Sequence, residues 1–91
     1  GRVHFERGEG LLFPNCKSIT MVMMRIPIDV VFLKSIGSDS DRKLYRVEAV
    51  HRSVKPWRLH LSNWKASDTL ELPEGAIDRG EIQSGDELCL S

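Results

Sequence analysis

One stretch constrains this chain more than any other. From Thr20 to Leu33 the sequence runs TMVMMRIPIDVVFL, with apolar residues at nearly every position. Val22, Met24, Ile26, Ile28, Val30 and Phe32 share one parity, while Met21, Met23, Arg25, Pro27, Asp29, Val31 and Leu33 share the other. A repeat of two is the signature of extended backbone, so the even face is expected to be buried and the odd face mixed. A proline inside a helix costs about 3 kcal/mol, which argues against a helix here. Pro27 also lacks a ladder donor, so it marks an edge, a bulge or a break. Two short strands, at about 17–24 and 28–36, are expected to meet at a kink near it. A membrane-spanning helix is excluded, because it needs about 20 consecutive apolar residues and Arg25, Pro27 and Asp29 interrupt the run.

The rest of the chain continues the pattern. The cluster GSDSDR, from Gly37 to Arg42, reads as a turn, and KLYRVEAVHR as the returning strand, with Tyr45, Val47 and Ala49 on one face. SVKPWR must be irregular or extended around Pro56. RLHLS and ASDTLEL read as short strands, the second with Thr69 and Glu71 opposed to Leu70 and Leu72. After Pro73, EGAIDRG suits a short helix closed by Gly80, and a turn at Ser84–Asp86 precedes a last strand. Strands with frequent turns and one short helix argue a mainly β fold, a small β-barrel or β-sandwich.

The chain has 91 residues, enough for a single domain over 1–91. Hydrophobic content of 41% and charged content of 29% fit a globular protein. The net charge is zero, yet residues 1–65 carry 12 Lys/Arg against 6 Asp/Glu, and residues 66–91 carry 1 against 7. Such asymmetry marks either an interaction surface or two segments that neutralise each other on folding. Cys16 and Cys89 are expected to be free thiols, since two distant cysteines make no disulfide framework. The polar start, GRVHFERGEG, lacks the apolar core of an export signal, which leaves the cytoplasm as the default compartment.

Three blocks, in order, carry a family resemblance. GLLFPNCKSITMVMMRIPIDVVFL, VKPWR and LELPEGAIDRGEIQSGDEL resemble the successive motifs of domain of unknown function family 192, a prokaryotic family. Cys16, Met24, Arg25, Pro27, Ile28, Asp29, Val30, Val31, Phe32 and Leu33 stand at the matching positions. The family's His-Thr pair is Thr20-Met21 here, its glycine before Met-Arg is Met23, and Gly80-Glu81 replaces a common Leu-Gly. A role tied to that histidine therefore does not carry over. The resemblance implies an all-β sandwich or barrel and no established activity. It also implies that this chain lacks an N-terminal strand of the family.

Arg25 and Asp29 lie roughly 13 Å apart on one face of an ideal strand, too far to pair without the kink. Flanked by Ile28 and Val30, the Asp29 carboxylate is expected to be partly buried and to need hydrogen bonds or a counter-charge. Lys55 and Arg58 are candidate partners for it, and Asp86 for Arg25. Either Asp29 accepts backbone N–H groups and fixes the bend, or Arg25, Asp29, Lys55, Trp57 and Arg58 wall a polar cleft for a small ligand or protein. A small acid/base enzyme using Asp29 is a further reading, which requires His51 or His60 to reach it.

Metal binding has little to stand on, since His4, His51, His60, Cys16 and Cys89 show no paired ligand spacing. No G-x-S-x-G elbow and no phosphate-binding glycine signature occurs, so no cofactor is expected. Residues 42–65 carry seven Lys/Arg against one Glu, interleaved with Tyr45, Trp57, His60 and Trp64. That pattern suits a binder of single-stranded nucleic acid, although Tyr45 falls on the inward parity and tryptophans of a small domain are expected in the core. Met21 and Met23 would place adaptable apolar surface on the second face, where a homodimer could form.

Overall fold

The twelve residues after Pro27 form a strand, β4 (Ile28–Asp39), in a computed structural model of the chain, which describes residues 2–5, 9–20, 25–57 and 60–90. Around it stand β1 (Arg2–Phe5), β2 (Leu11–Phe13), β3 (Ser18–Thr20), β5 (Arg42–Val54), β6 (His60–Ser62), β7 (Asp68–Pro73), a one-turn helix α1 (Ala76–Arg79) and β8 (Glu87–Leu90). The protein is mainly β, its larger sheet curled into a half-barrel. That sheet has the order β1-β8-β5-β4-β7-β2, and β3 pairs with β6 in a separate two-stranded sheet. Neighbours are antiparallel except β1 and β8, which run parallel.

β4 lies between two strands, so both of its edges are paired, and each of its faces meets a core. Val31 and Leu33 enter a core with Tyr45, Val47, Leu70, Leu72, Ile77, Ile82 and Leu88. Ile28, Val30 and Phe32 enter a second core with Ile19, Val54, Leu61 and Ala66, under the β3–β6 pair. Val30, Val31, Phe32 and Leu33 are wholly buried, and each such side chain contributes about 1.5–3 kcal/mol by leaving water. The odd face is thus as apolar as the even one after Pro27, with Asp29 its buried polar member. Residues 21–24, with all three methionines, lie outside the described residues.

The hairpin is longer than the turn-forming residues suggest. Pairing continues to Asp39 opposite Arg42, which leaves only Ser40 and Asp41 as the turn. Gly37, at φ 148°, sits where the register shifts between Ser35 and Gly37, a conformation that favours glycine. A second shift corrects the expected face of β5. Leu33 pairs with Val47 but Phe32 with Ala49, so Glu48 is an extra residue. Beyond this bulge the parity reverses. Tyr45 and Val47 stay in the first core, whereas Ala49 packs on the second and Val50 returns to the first.

β1 and β2 were not legible in the alternation. Their few residues offer a period of two too short to distinguish, and they exist because β8 and β7 present partners to them. β7, α1 with Gly80 at its C-cap, and β8 fall where the pattern puts them. Both cysteines are free, Cys89 buried and Cys16 half-buried with its Sγ donating to the Ser18 carbonyl at 2.8 Å.

Candidate functional site

The site grows from a second bulge. Ile28 pairs with Val54 and Val30 with His51, so Asp29 alone faces Arg52 and Ser53. Ser53 takes φ 50°, and its N–H is turned away from the ordinary ladder. The Asp29 carboxylate receives it: Ser53 N donates to Oδ1 at 2.9 Å. Its other oxygen accepts from Gly75 N at 3.1 Å and from Ile77 N at 2.9 Å. Gly75 precedes α1 at φ 91°, a left-handed conformation that glycine adopts without strain. One carboxylate, only 1% exposed, therefore ties β5 to the start of α1 through three main-chain donors. Three fixed N–H groups satisfy a buried carboxylate without immobilising a long cationic side chain.

Past Val47 the outer edge of β5 has no strand beside it among the described residues. β8 pairs only with Lys43–Arg46, and the loop ahead of it bonds Val47 through Gly85 N and the Asp86 carbonyl. Along the open edge lies a cleft of about 450 Å³, lined by Val50–Lys55 and Trp57. Lys55 and Trp57 of the expected set meet there, with Trp57 76% exposed. Asp29 lies behind the wall, holding Ser53. Arg25 is exposed and does not line this cleft, and Arg58 falls outside the described residues.

Arg52 is the cation that the sequence reading passed over. Its Nε donates to Asp78 Oδ1 on α1 at 2.7 Å. No charge pattern within β5 marks it, because its partner lies 26 residues on. Among the described residues the lining of the cleft has no acidic side chain, and Arg52 and Lys55 are its cations.

Two further groups stand out. Val30 pairs with His51 on one side and Glu71 on the other, so all three project from the same face. Burial pushes the Glu71 carboxyl above its ordinary range, and the His51 ring packs edge-on against Phe32 with centroids 5.6 Å apart. In the first core, Tyr45 bonds the buried Asp68. Burial first, then the Asp68 charge and hydrogen bond, push its phenol up to about 12.

The tryptophans correct a core assignment: Trp57 is 76% and Trp64 80% exposed. Both occupy turns flanking β6, where β6's inward position is taken by Leu61. The Lys65 ammonium lies 5.3 Å from the Trp64 ring centroid. Among the described residues no group of three His, Cys, Asp or Glu side chains gathers as a metal site, and no helix is long and apolar enough to cross a membrane.

No match was found among the curated proteins or among the solved structures. A family model described as "Uncharacterized ACR" matches residues 1–90, nearly the whole chain that carries Asp29, the Trp57 cleft and α1. The chain belongs to that family, domain of unknown function family 192.

Proposed function

We propose that this chain is a non-catalytic binding module, and that its ligand is an anion bearing a flat apolar group, received in the cleft at the end of β5. The observation that carries the reading is the pairing of an exposed indole, Trp57, with Lys55 and Arg52 in a cleft whose described lining residues include no acid. An exposed indole offers a stacking surface, and cations in a concave wall attract and orient an anion. Asp29 supports the site from behind, since its bonds to Ser53, Gly75 and Ile77 fix the wall.

Titration of phenyl phosphate into a Trp64→Phe variant tests it, with Trp57 fluorescence as the readout. A saturable response is expected, and none to benzyltrimethylammonium, which has a ring but the opposite charge. Equal responses to both, or none to phenyl phosphate and none to benzoate, would sink the reading.

Single-stranded nucleic acid is the second reading, favoured by the exposure of both Trp57 and Trp64 beside Lys55 and Lys65. Binding of a fluorescent oligothymidylate that weakens steeply with salt would support it, and no binding at low salt would refute it. Association through Met21 and Met23 is a separate proposal. Sedimentation showing a monomer at high micromolar concentration overturns it.

A further inference from the structure

Arg52 stands between two clefts of opposite character. One is the Trp57 cleft, and the other, of about 570 Å³, lies between Arg52, α1 and the loop 81–86. Asp78, Glu81 and Asp86 line the second, and Arg52 is the cation among its described lining residues. The Asp86 carboxyl is held below its ordinary range, first by the Gln83 N–H that it accepts at 2.9 Å, so this side stays anionic. Arg52 is bonded to Asp78 through Nε alone, and its Nη groups have no partner among the described residues. A guanidinium fixed at Nε keeps its two Nη groups as a planar fork for a pair of oxygens.

We infer that Arg52 is the anion-receiving residue of the Trp57 cleft and that Asp78 is its positioning residue, so that the ligand bears a carboxylate or phosphate group. This rests on the binding reading above. The side chains of the pair are 49% and 71% exposed, so their bridge adds little to stability. Its effect is on geometry. A long side chain already held at one point loses less rotamer freedom when the ligand engages it. The arrangement also links the ligand to α1, because Asp78 belongs to the helix whose start Asp29 fixes.

Phenyl phosphate titrations of Arg52→Lys, Asp78→Ala and Asp78→Asn, each combined with Trp64→Phe, test the inference against the Trp64→Phe parent. Arg52→Lys keeps the charge but loses the fork, so affinity is expected to fall about tenfold. Asp78→Ala is expected to weaken binding several-fold. Asp78→Asn keeps the acceptor oxygen and is expected to bind as well as the parent. All three should melt with the parent, which separates binding from folding.

A parent that binds while Arg52→Lys or Asp78→Ala binds equally well overturns the inference and leaves the cleft reading intact. Loss in Asp78→Asn as deep as in Asp78→Ala also overturns it, since positioning by an acceptor atom predicts rescue. A parent that binds neither phenyl phosphate nor benzoate overturns both. If it binds only one of these, that result assigns the anion within the class.

Discussion

The two halves of β5 begin from similar sequence and end in different situations. Arg42–Val47 has β4 on one side and, along most of its length, β8 on the other, and it buries Tyr45 and Val47 completely. Val50–Val54 has β4 on one side and the cleft on the other. The first half is closed because β8 reaches it; the second is open among the described residues because β8 starts at Glu87 and pairs no further than Arg46. Exposed cations occur in both halves, but the second half sets one at the cleft. In the closed half Tyr45 meets a buried carboxylate, while in the open half Arg52, with Lys55 just past the strand's end, faces solvent at the cleft.

The largest expected effect removes what holds the open half in shape. Asp29→Ala strands three main-chain donors, and denaturant unfolding should show a loss of about 3 kcal/mol or more. Asp29→Asn retains acceptor capacity in one oxygen only and should lose about 2 kcal/mol. A change below about 0.5 kcal/mol, the size expected for surface substitutions, would remove Asp29 from the frame.

The next test concerns the closed half. The Tyr45 phenol is raised to about 12 in the folded protein from an ordinary 10.0, so folding tightens its hold on the proton. The stability from this group is present below pH 10, falls as the pH rises, and is gone above about 12. The loss should be roughly 2 kcal/mol across that window, measured by urea unfolding at each pH. Tyr45→Phe should lose this step, and at neutral pH it should cost about 1–3 kcal/mol by leaving Asp68 without its donor. Glu71 works in the acid range. Burial raises its folded value, so its protonation favours folding, and Glu71→Gln should reduce the penalty that grows as the pH rises above 4.5.

The smallest effects on stability belong to the cleft. Trp57→Ala should change unfolding free energy by no more than about 0.5 kcal/mol, because its side chain is 76% exposed. It should nevertheless abolish the response to phenyl phosphate in isothermal calorimetry. A destabilisation of about 2 kcal/mol would make Trp57 a packing residue and dissolve the contrast between the halves.

Much of the architecture was legible. The period of two after Pro27, the inward positions of Leu70 and Leu72, the helix before Gly80 and the last strand all follow from local pattern. The face of Ala49 was not, because a bulge at Glu48 reverses parity and only the facing strand reveals it. At the site, the need of Asp29 for hydrogen bonds could be read from its apolar neighbours. Its donors could not, since they lie 24, 46 and 48 residues away. Arg52 was missed for the same reason.

The sequence by itself determined a mainly β chain, the burial of Ile28, Val30 and Phe32 and the demand for a partner at Asp29. Alternation and the cost of burying polar atoms are local properties, so they are written in order along the chain. The tertiary structure alone decided which edge of β5 stays open, where each bulge falls and that both tryptophans lie outside. Those outcomes depend on register and on the length of neighbouring strands, which bring together residues that the chain keeps far apart.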